Sequence, residues 1–265
     1  MADRAGVLAA AGEKRLHLLL VHYFTVKQKG EYQMILNLAH RGFSDRYPEN
    51  TILAFEKAKE AGFDGIELDV QLSRDGEPVV IHDEELKRVT GEEGFVWEYT
   101  LEELKQMKVL ESDAYEIQRI PTLREYFETV YPSEMITNIE LKTSWNQYHG
   151  IEEKVLALID EFDVREKIWI SSFNHFSAQR FKRLSPNVKC GLLEESRIVG
   201  MAEYAQGLHM DFLHPVYYTV TERYAQEALM RGLEIHAWTV NEEEEAHLLE
   251  RMGVEAVIGN RPVKH

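Results

Sequence analysis

Two histidines and two carboxylates lie in short motifs whose residue types could perform acid–base and metal chemistry. His40 precedes an arginine and a glycine, His82 precedes an aspartate, and Glu67 and Asp69 flank a leucine. Histidine changes charge near neutral pH, so it can accept or donate a proton during catalysis. Neighbouring carboxylates repel each other, and burying them requires a compensating cation. The four side chains together predict proton transfer beside a bound divalent metal.

The carboxylates lie in patterns that put them on one face of a strand. Side chains alternate along a strand, so Glu67 and Asp69 share a face, and Glu140 and Lys142 share one across the intervening leucine. Inside a barrel, the carboxylates would suit a hard divalent cation, and Lys142 would suit a phosphoryl oxygen. The alternatives are a surface strand with alternating acids and, for Glu140 and Lys142, a buried structural ion pair.

Each histidine alone is more often structural than catalytic, but the pair is more specific. Both are predicted at strand ends, and Arg41 adjoins the first of them. In phosphoryl transfer, one of His40 and His82 could deprotonate the attacking hydroxyl while the other protonates the leaving alkoxide. Arg41 and Lys142 would then hold phosphate oxygens, the first as a planar fork and the second as a point charge.

The elements that must position these residues follow a regular alternation. From Ile35 onward, short β-branched or apolar runs alternate with stretches of helical periodicity, which is typical of a parallel α/β fold. We predict strands at residues 36–39, 65–70, 135–141, 168–171, 188–192, 211–213, 234–239 and 256–258. We predict helices at residues 51–61, 122–131, 151–162, 175–184, 198–206, 221–231 and 241–252. This favours a (β/α)8 TIM barrel over a doubly wound open sheet, because no G-x-G-x-x-G turn follows the first strand.

One connection is much longer than the others. Residues 78–82 are predicted to form a short extra strand, and residues 84–121, with a short helix at 101–104, separate it from the next barrel helix. Long βα connections usually cover an active site, so we expect this insertion at the mouth of the barrel. The barrel domain is predicted to span residues 34–265. Residues 1–33 would be an N-terminal extension, which could be an appended arm, an upstream translation start or a cloning remnant.

The ordered motifs resemble the glycerophosphodiester phosphodiesterase family from Ile35 to the C-terminus. The matching segments are His40-Arg41-Gly42, Pro48-Glu49-Asn50-Thr51, Gly65-Ile66-Glu67-Leu68-Asp69-Val70, Asp75-Gly76, Val80-Ile81-His82-Asp83, Glu140-Leu141-Lys142 and Trp238-Thr239-Val240-Asn241. The resemblance implies a TIM-barrel enzyme that hydrolyses glycerophosphodiesters to glycerol 3-phosphate and an alcohol, with Mg²⁺ or Ca²⁺ bound. The family mechanism is described as attack by the substrate's own glycerol hydroxyl, giving a cyclic phosphate that water opens.

The resemblance also implies roles for individual residues. It implies the metal ligands Glu67, Asp69 and Glu140, the acid–base pair His40 and His82, and the phosphate-binding residues Arg41 and Lys142. In the family motif Glu49 also faces the site, where it would orient a histidine or a metal-bound water. The same segment could equally begin a helix that is capped by Asn50 or Thr51.

Two features near the C-terminus complete the comparison with the family pattern. Trp238 is predicted at a strand end, where its ring could form one wall of the glycerol pocket or pack in the core. The segment Gly259-Asn260-Arg261-Pro262 stands where the family often has a threonine before the aspartate or asparagine. We expect this difference to affect only the last βα loop, because no inferred metal or acid–base residue lies there.

Composition narrows the partners and the compartment. With 30 basic and 46 acidic residues, the net charge is -16, which repels nucleic acid and anionic membranes but permits a small-molecule substrate in a locally positive pocket. Cys190 is the only cysteine, so no intramolecular disulfide can form. The apolar run 16–24 is too short to span a bilayer, and it contains two histidines. We therefore expect a cytoplasmic protein without stable membrane insertion.

Two other functions fit parts of the pattern. A phospholipase D- or C-like enzyme acting on lysophospholipids would need an exposed apolar or basic rim, for which Phe95 and Trp97 in the insertion are candidates. An inactive phosphodiester-binding protein would lack one of the inferred metal ligands or histidines. All of them are present, which favours catalysis.

Overall fold

Eight parallel strands close into a barrel. The computed structural model describes residues 34–110 and 115–263. The strands are β1 (Leu36–His40), β2 (Gly65–Leu72), β3 (Pro78–Val80), β4 (Ile136–Leu141), β5 (Ile168–Ser172), β6 (Lys189–Glu194), β7 (Phe212–Pro215), β8 (Glu234–Trp238) and β9 (Ala256–Gly259). All except β3 are parallel neighbours in chain order, and β1 pairs with both β2 and β9. This closure confirms the (β/α)8 TIM barrel. The N-terminal segment 1–33 lies outside the described residues.

Helices follow the barrel strands and run back along the outside. They are α1 (Ile52–Ala61), α2 (Lys87–Thr90), α3 (Leu101–Gln106), α4 (Leu123–Val130), α5 (Ile151–Glu161), α6 (His175–Leu184), α7 (Met201–Gly207), α8 (Glu222–Leu229) and α9 (Glu243–Met252). The helix predicted at residues 198–206 begins only at Met201, because Gly200 before it adopts a left-handed conformation. The strand predicted to reach residue 239 ends at Trp238.

Strand β2 shows how alternation separates the two layers. Its apolar residues Ile66, Leu68 and Val70 are buried in the large core between the barrel and its helices, as expected for the outward face. Glu67 and Asp69 therefore point into the barrel. Burial of the apolar face fixes the register of the strand, since a shift of one residue would exchange the two faces.

The amino-terminal half of the barrel interior is filled by packed rings. His236 stacks between Trp169 and Phe212, with ring centroids 4.2 and 4.3 Å away. A Cβ on Gly191 would lie 2.1 Å from the Phe212 ring, so only glycine leaves room for it. The polar interior residues at the other end of the barrel are thus left accessible from one mouth.

The long connection after β2 forms a small substructure with its own hydrophobic core. Strand β3 pairs antiparallel with β2, and helices α2 and α3 follow it. The buried apolar residues of this core are Val79, Ile81, Leu86, Val89, Val96, Leu104, Val109 and Ile120. A small insertion after the second strand is present as expected, and the helix within it spans Leu101–Gln106. In the described part of the chain, no helix is both long and apolar enough to cross a membrane.

Candidate functional site

Three buried carboxylates meet at the carboxyl end of the barrel. Asp69 on β2 pairs in register with Glu140 on β4, and Glu67 lies two residues before Asp69 on the same inward face. One carboxylate oxygen from each residue lies within 4.8 Å of the others, and the three residues are 1 to 7% exposed. This is the arrangement predicted from the sequence. Oxygen ligands at such spacing suit a hard divalent cation.

The protonation of the three carboxyls reflects their crowding. Burial, with Asp69 and Glu140 nearby, raises the pKa of Glu67 well above its usual range. Burial also raises the pKa of Glu140 to about 6, although Lys142 opposes the shift. Asp69 is buried too, but nearby cations and the Asn50 amide hold its pKa below the usual range. Among the described residues, Asp69 Oδ1 has no hydrogen-bond partner, so the residues present fit a divalent cation.

Two cationic side chains border the carboxylates. Lys142 Nζ lies 3.1 Å from Glu140 Oε1 and 3.9 Å from Asp69 Oδ1. Arg41 Nε lies 3.6 Å from Asp69 Oδ2, and the Arg41 backbone N–H donates to Glu67 Oε2 at 3.0 Å. Although burial disfavours its charged form, the neighbouring Glu140 and Asp69 raise the pKa of Lys142 above its ordinary value. Both residues predicted to bind phosphate therefore reach the carboxylate cluster and carry positive charge.

The backbone after β1 is shaped to bring Arg41 inward. Arg41 and Gly42 both have positive φ angles, 57° and 79°. A Cβ on Gly42 would lie 2.8 Å from the backbone of Ala54, so no larger residue fits at this tight turn. Asn50, also left-handed, donates through its side-chain amide to Asp69 Oδ2 at 2.8 Å, while Thr51 caps α1. The H-R-G and N-T motifs are thus local backbone requirements of the site.

His40 faces the carboxylates from β1. Its Nε2 lies 4.0 Å from Glu67 Oε2, and its Nδ1 lies 2.7 Å from Asn260 Oδ1. The amide oxygen of Asn260 only accepts, so Nδ1 carries the hydrogen and Nε2 bears a lone pair. Burial, followed by the charge of Arg41, lowers the pKa of His40 to about 4. The ring is therefore neutral at neutral pH. The last βα loop was expected to lie apart from the acid–base residues, but Asn260 contacts one of them directly.

His82 follows β3 and is held by charged and polar neighbours. Its Nδ1 lies 2.6 Å from Asp83 Oδ1. Arg88 donates to both oxygens of Asp83, at 2.5 and 2.9 Å. Although burial opposes ionisation, the hydrogen bonds from His82 and Arg88 hold the pKa of Asp83 well below its usual range. Gln71 donates to the carbonyl oxygens of Ile81, His82 and Asp83 at 2.9 to 3.1 Å, which fixes the backbone that carries the ring.

Glu49 lies at the edge of the site and contacts neither histidine. Its carboxylate accepts from Arg41 at 3.1 Å and from Arg88 at 2.6 and 3.1 Å. Glu49 is therefore two side chains removed from His82, through Arg88 and Asp83. Through Glu49 and Arg88, these contacts connect Arg41 to the loop that carries His82.

Trp238 lies at the end of β8, partly exposed. Its Nε1 donates to the His214 carbonyl at 2.8 Å, and its ring packs edge-on to Phe173 with centroids 5.7 Å apart. It also packs against the buried rings inside the barrel. Trp238 thus packs on the interior core and is partly exposed at the mouth. This position is compatible with core packing and with a wall of the glycerol pocket.

The geometry described above agrees with the comparisons with known proteins. The sequence profile of the glycerophosphoryl diester phosphodiesterase family matches residues 40–264. The chain belongs to this family. A glycerophosphodiester phosphodiesterase of Caldanaerobacter subterraneus subsp. tengcongensis is 41% identical over 229 residues, which are 86% of this chain and 94% of the relative.

Solved structures of glycerophosphodiester phosphodiesterases share the fold. A phosphodiesterase of Oleispira antarctica, solved in complex with the product sn-glycerol-3-phosphate, is 30% identical with a TM-score of 0.77 and covers 86% of this chain and 94% of its own. The Thermotoga maritima glycerophosphodiester phosphodiesterase is 32% identical with a TM-score of 0.69 and covers 87% and 96%. The chain is accordingly a phosphoric diester hydrolase of the glycerophosphodiester phosphodiesterase family.

Several side chains of this enzyme's site were not singled out from the sequence. Gln71 continues the inward alternation of Glu67 and Asp69, and this pattern could have revealed it. Asp83 follows His82 directly, so an H-D pair was visible, but Arg88 and Asn260 carry no local signal. Their contacts depend on how the insertion folds and on how β9 closes against β1.

Proposed function

We propose that the enzyme hydrolyses glycerophosphodiesters to glycerol 3-phosphate and an alcohol, with His40 and His82 transferring protons beside a divalent cation. The observation that supports this most is the convergence of three buried carboxylates and both histidines at one mouth of the barrel. His40 Nε2 lies 4.0 Å from Glu67, and His82 acts electrostatically on Asp69 and Glu140. Sites of TIM-barrel enzymes lie at this end.

The cation and the basic residues would divide the charge of the phosphate. A divalent cation held by Glu67, Asp69 and Glu140 would polarise a phosphoryl oxygen. Its two positive charges would offset much of the carboxylate charge, leaving Arg41 and Lys142 to bind the other phosphate oxygens. The Arg41 and Lys142 side chains already lie beside the carboxylates, so each needs to move little to reach a bound phosphate.

His40 is suited to be the base. Its ring is neutral at neutral pH, and its Nδ1–H is held by Asn260 Oδ1, so the lone pair of Nε2 is directed to the carboxylate side of the site. In the proposed first step, Nε2 takes the proton of a glycerol hydroxyl as that oxygen attacks phosphorus. The product of that step is a cyclic phosphate, which water opens in the second step.

His82 is suited to be the acid. Its Nδ1 is hydrogen-bonded to the ionised Asp83 carboxylate, whose negative charge stabilises positive charge on the ring. Nε2–H is then free to donate to the oxygen of the departing alcohol. The bond from phosphorus to that oxygen breaks, and the alkoxide leaves as the neutral alcohol. In the second step the two histidines exchange roles.

Product analysis tests this function. Purified enzyme with added Mg²⁺ or Ca²⁺ is incubated with glycerophosphocholine, glycerophosphoethanolamine and glycerophosphoglycerol, and phosphorus NMR follows the reaction. We expect glycerol 3-phosphate as the final product and a transient cyclic phosphate signal. Release of the free head-group phosphate, or no turnover of any diester, would contradict the proposal.

The Asp83 carboxylate offers a separate prediction. Asp83→Asn keeps the size of the side chain but removes the charged acceptor that holds the His82 ring, so we expect kcat to fall by at least ~10-fold with a smaller change in KM. Glu85→Gln, an exposed neighbour in the same loop, is the matched control and should behave as wild type. A wild-type kcat for Asp83→Asn would remove the proposed role.

A second candidate substrate class is the lysophospholipids. The segments that follow β5, β6 and β7 expose large apolar side chains beside the mouth: Phe176 is 77% exposed, Val199 99% and Tyr218 62%. Such a rim could hold an acyl chain. Lysophosphatidylcholine in the same assay distinguishes the two classes, because faster turnover than glycerophosphocholine would favour the lipid. A cytoplasmic location and the lack of a nucleic-acid partner stay predictions from composition.

A further inference from the structure

Four aromatic side chains form a cluster beside the mouth of the barrel, and the mechanism above does not use it. Phe95 and Trp97 of the insertion stack with centroids 4.5 Å apart and planes at 11°. Trp145, in the loop after β4, meets both rings edge-on at 5.3 and 6.3 Å. Tyr148 lies beneath, 6.2 Å from Trp97. We call Phe95, Trp97, Trp145 and Tyr148 the aromatic cluster.

The aromatic cluster is connected to His82 through the side chain of Gln71. The Tyr148 hydroxyl donates to Gln71 Oε1 at 2.8 Å, and the amide of the same Gln71 holds the His82 carbonyl at 3.1 Å. Trp145 follows Lys142 by three residues in the chain. The aromatic cluster therefore adjoins the loop that carries His82.

A carboxylate, that of Glu84, lies beside the aromatic cluster. Glu84 lies two residues after His82, and its carbonyl accepts from Val96 N–H at 3.0 Å, which holds the 3-10 turn that carries Phe95 and Trp97 beside it. The Glu84 side chain is partly buried, and among residues 34–110 and 115–263 it forms no hydrogen bond or ion pair. It is close enough to act electrostatically on both Lys142 and Tyr148.

Exposure makes the aromatic surface available to a ligand. Trp145 is 61% exposed, which is high for a tryptophan in contact with two other rings. Aromatic faces attract cations, and a quaternary ammonium group is especially suited to them because it has no N–H to hydrogen-bond. The Glu84 carboxylate adds attraction for a positive charge and disfavours an aliphatic chain.

We propose that the aromatic cluster and Glu84 form a subsite for the alcohol portion of the diester and select a quaternary ammonium alcohol such as choline. This inference rests on the proposed function for the reaction itself. The subsite would make the enzyme discriminate between head groups by their charge as well as by their shape.

The sharpest test compares two esters of the same shape. Glycerophosphocholine and the 3,3-dimethylbutyl ester of glycerol 3-phosphate differ in that a quaternary carbon replaces the charged nitrogen. We expect kcat/KM to favour the choline ester by about tenfold, mainly through KM. Trp145→Leu and Glu84→Gln should each bring the ratio toward one, and Trp145→Phe should keep part of it. Tyr204→Leu, at an exposed aromatic on helix α7, should leave the ratio as in wild type.

The outcomes separate this subsite from the reaction. Equal kcat/KM for the two esters in the wild type, or an equal loss on both in Trp145→Leu, would overturn the subsite while leaving the proposed function intact. If neither ester is cleaved, the proposed function fails instead. The subsite is then read by titrating tetramethylammonium against tryptophan fluorescence: a saturable signal that is lost in Trp145→Leu supports it, and no Trp145-dependent signal overturns it.

Discussion

Replacing either histidine with alanine is expected to lower kcat/KM on a glycerophosphodiester by about 10²–10⁴-fold, the usual contribution of one general acid or base. His40 is neutral with Nε2 turned to the carboxylates, and His82 is hydrogen-bonded to Asp83, so each is placed to move one proton. The loss should fall mainly on kcat, because neither imidazole is needed to hold the phosphate. Steady-state kinetics of His40→Ala and His82→Ala would measure it.

Two controls make the histidine prediction specific. His247, which lies on helix α9 away from the mouth, gives the matched variant His247→Ala, whose rate should equal that of wild type. Unfolding curves and metal titrations of the two active-site variants should stay close to wild type. Turnover at the wild-type rate in either of those variants would remove that histidine from the mechanism.

The second large effect concerns the carboxylate cluster. Glu67→Gln should weaken Mg²⁺ and Ca²⁺ binding by at least ~100-fold, since losing a direct charged ligand should cost no less than losing an outer-shell partner. In chelator the same variant should unfold at a temperature a few degrees higher than wild type, because it removes one of three crowded carboxylates whose burial is uncompensated. Calorimetric titration measures the first effect, and thermal unfolding with and without cation measures the second.

The control for this prediction is another buried carboxylate. Glu194 on β6 faces the helix layer, where it accepts a hydrogen bond from Tyr224, and burial raises its pKa to about 7. Glu194→Gln should leave cation affinity unchanged. Wild-type affinity should also fall as the pH drops below about 6, where Glu140 takes up a proton in the cation-free protein. Unaltered affinity in Glu67→Gln would exclude it as a ligand.

The sequence was most informative where a local period carries the signal. Alternation along β2 placed Glu67 and Asp69 inside the barrel, and the succession of strands and helices predicted the closed sheet that is found. Its errors lie at element ends, as at the start of α7, where the left-handed Gly200 delays the helix. Such ends depend on single backbone conformations, which periodicity does not encode.

The parts of the site that were not predicted depend on contacts between distant segments. Asn260 reaches His40 across 220 residues because β9 closes on β1, and Arg88 reaches Glu49 across 39 residues because the insertion folds back over the mouth. Neither pairing has a local pattern in the chain. The sequence could therefore place the reacting residues, whereas the residues that orient them became visible only in three dimensions.

We expect Glu67, Asp69 and Glu140 to hold a divalent cation on which glycerophosphodiester hydrolysis depends. The most direct measurement is the rate of glycerol 3-phosphate release from glycerophosphocholine by enzyme that has been stripped with chelator and then titrated with Mg²⁺ or Ca²⁺. We predict negligible release after stripping and saturable recovery with cation in the wild type, with far weaker recovery in Glu67→Gln. Full activity in the stripped enzyme, or equal recovery in the variant, would contradict the claim.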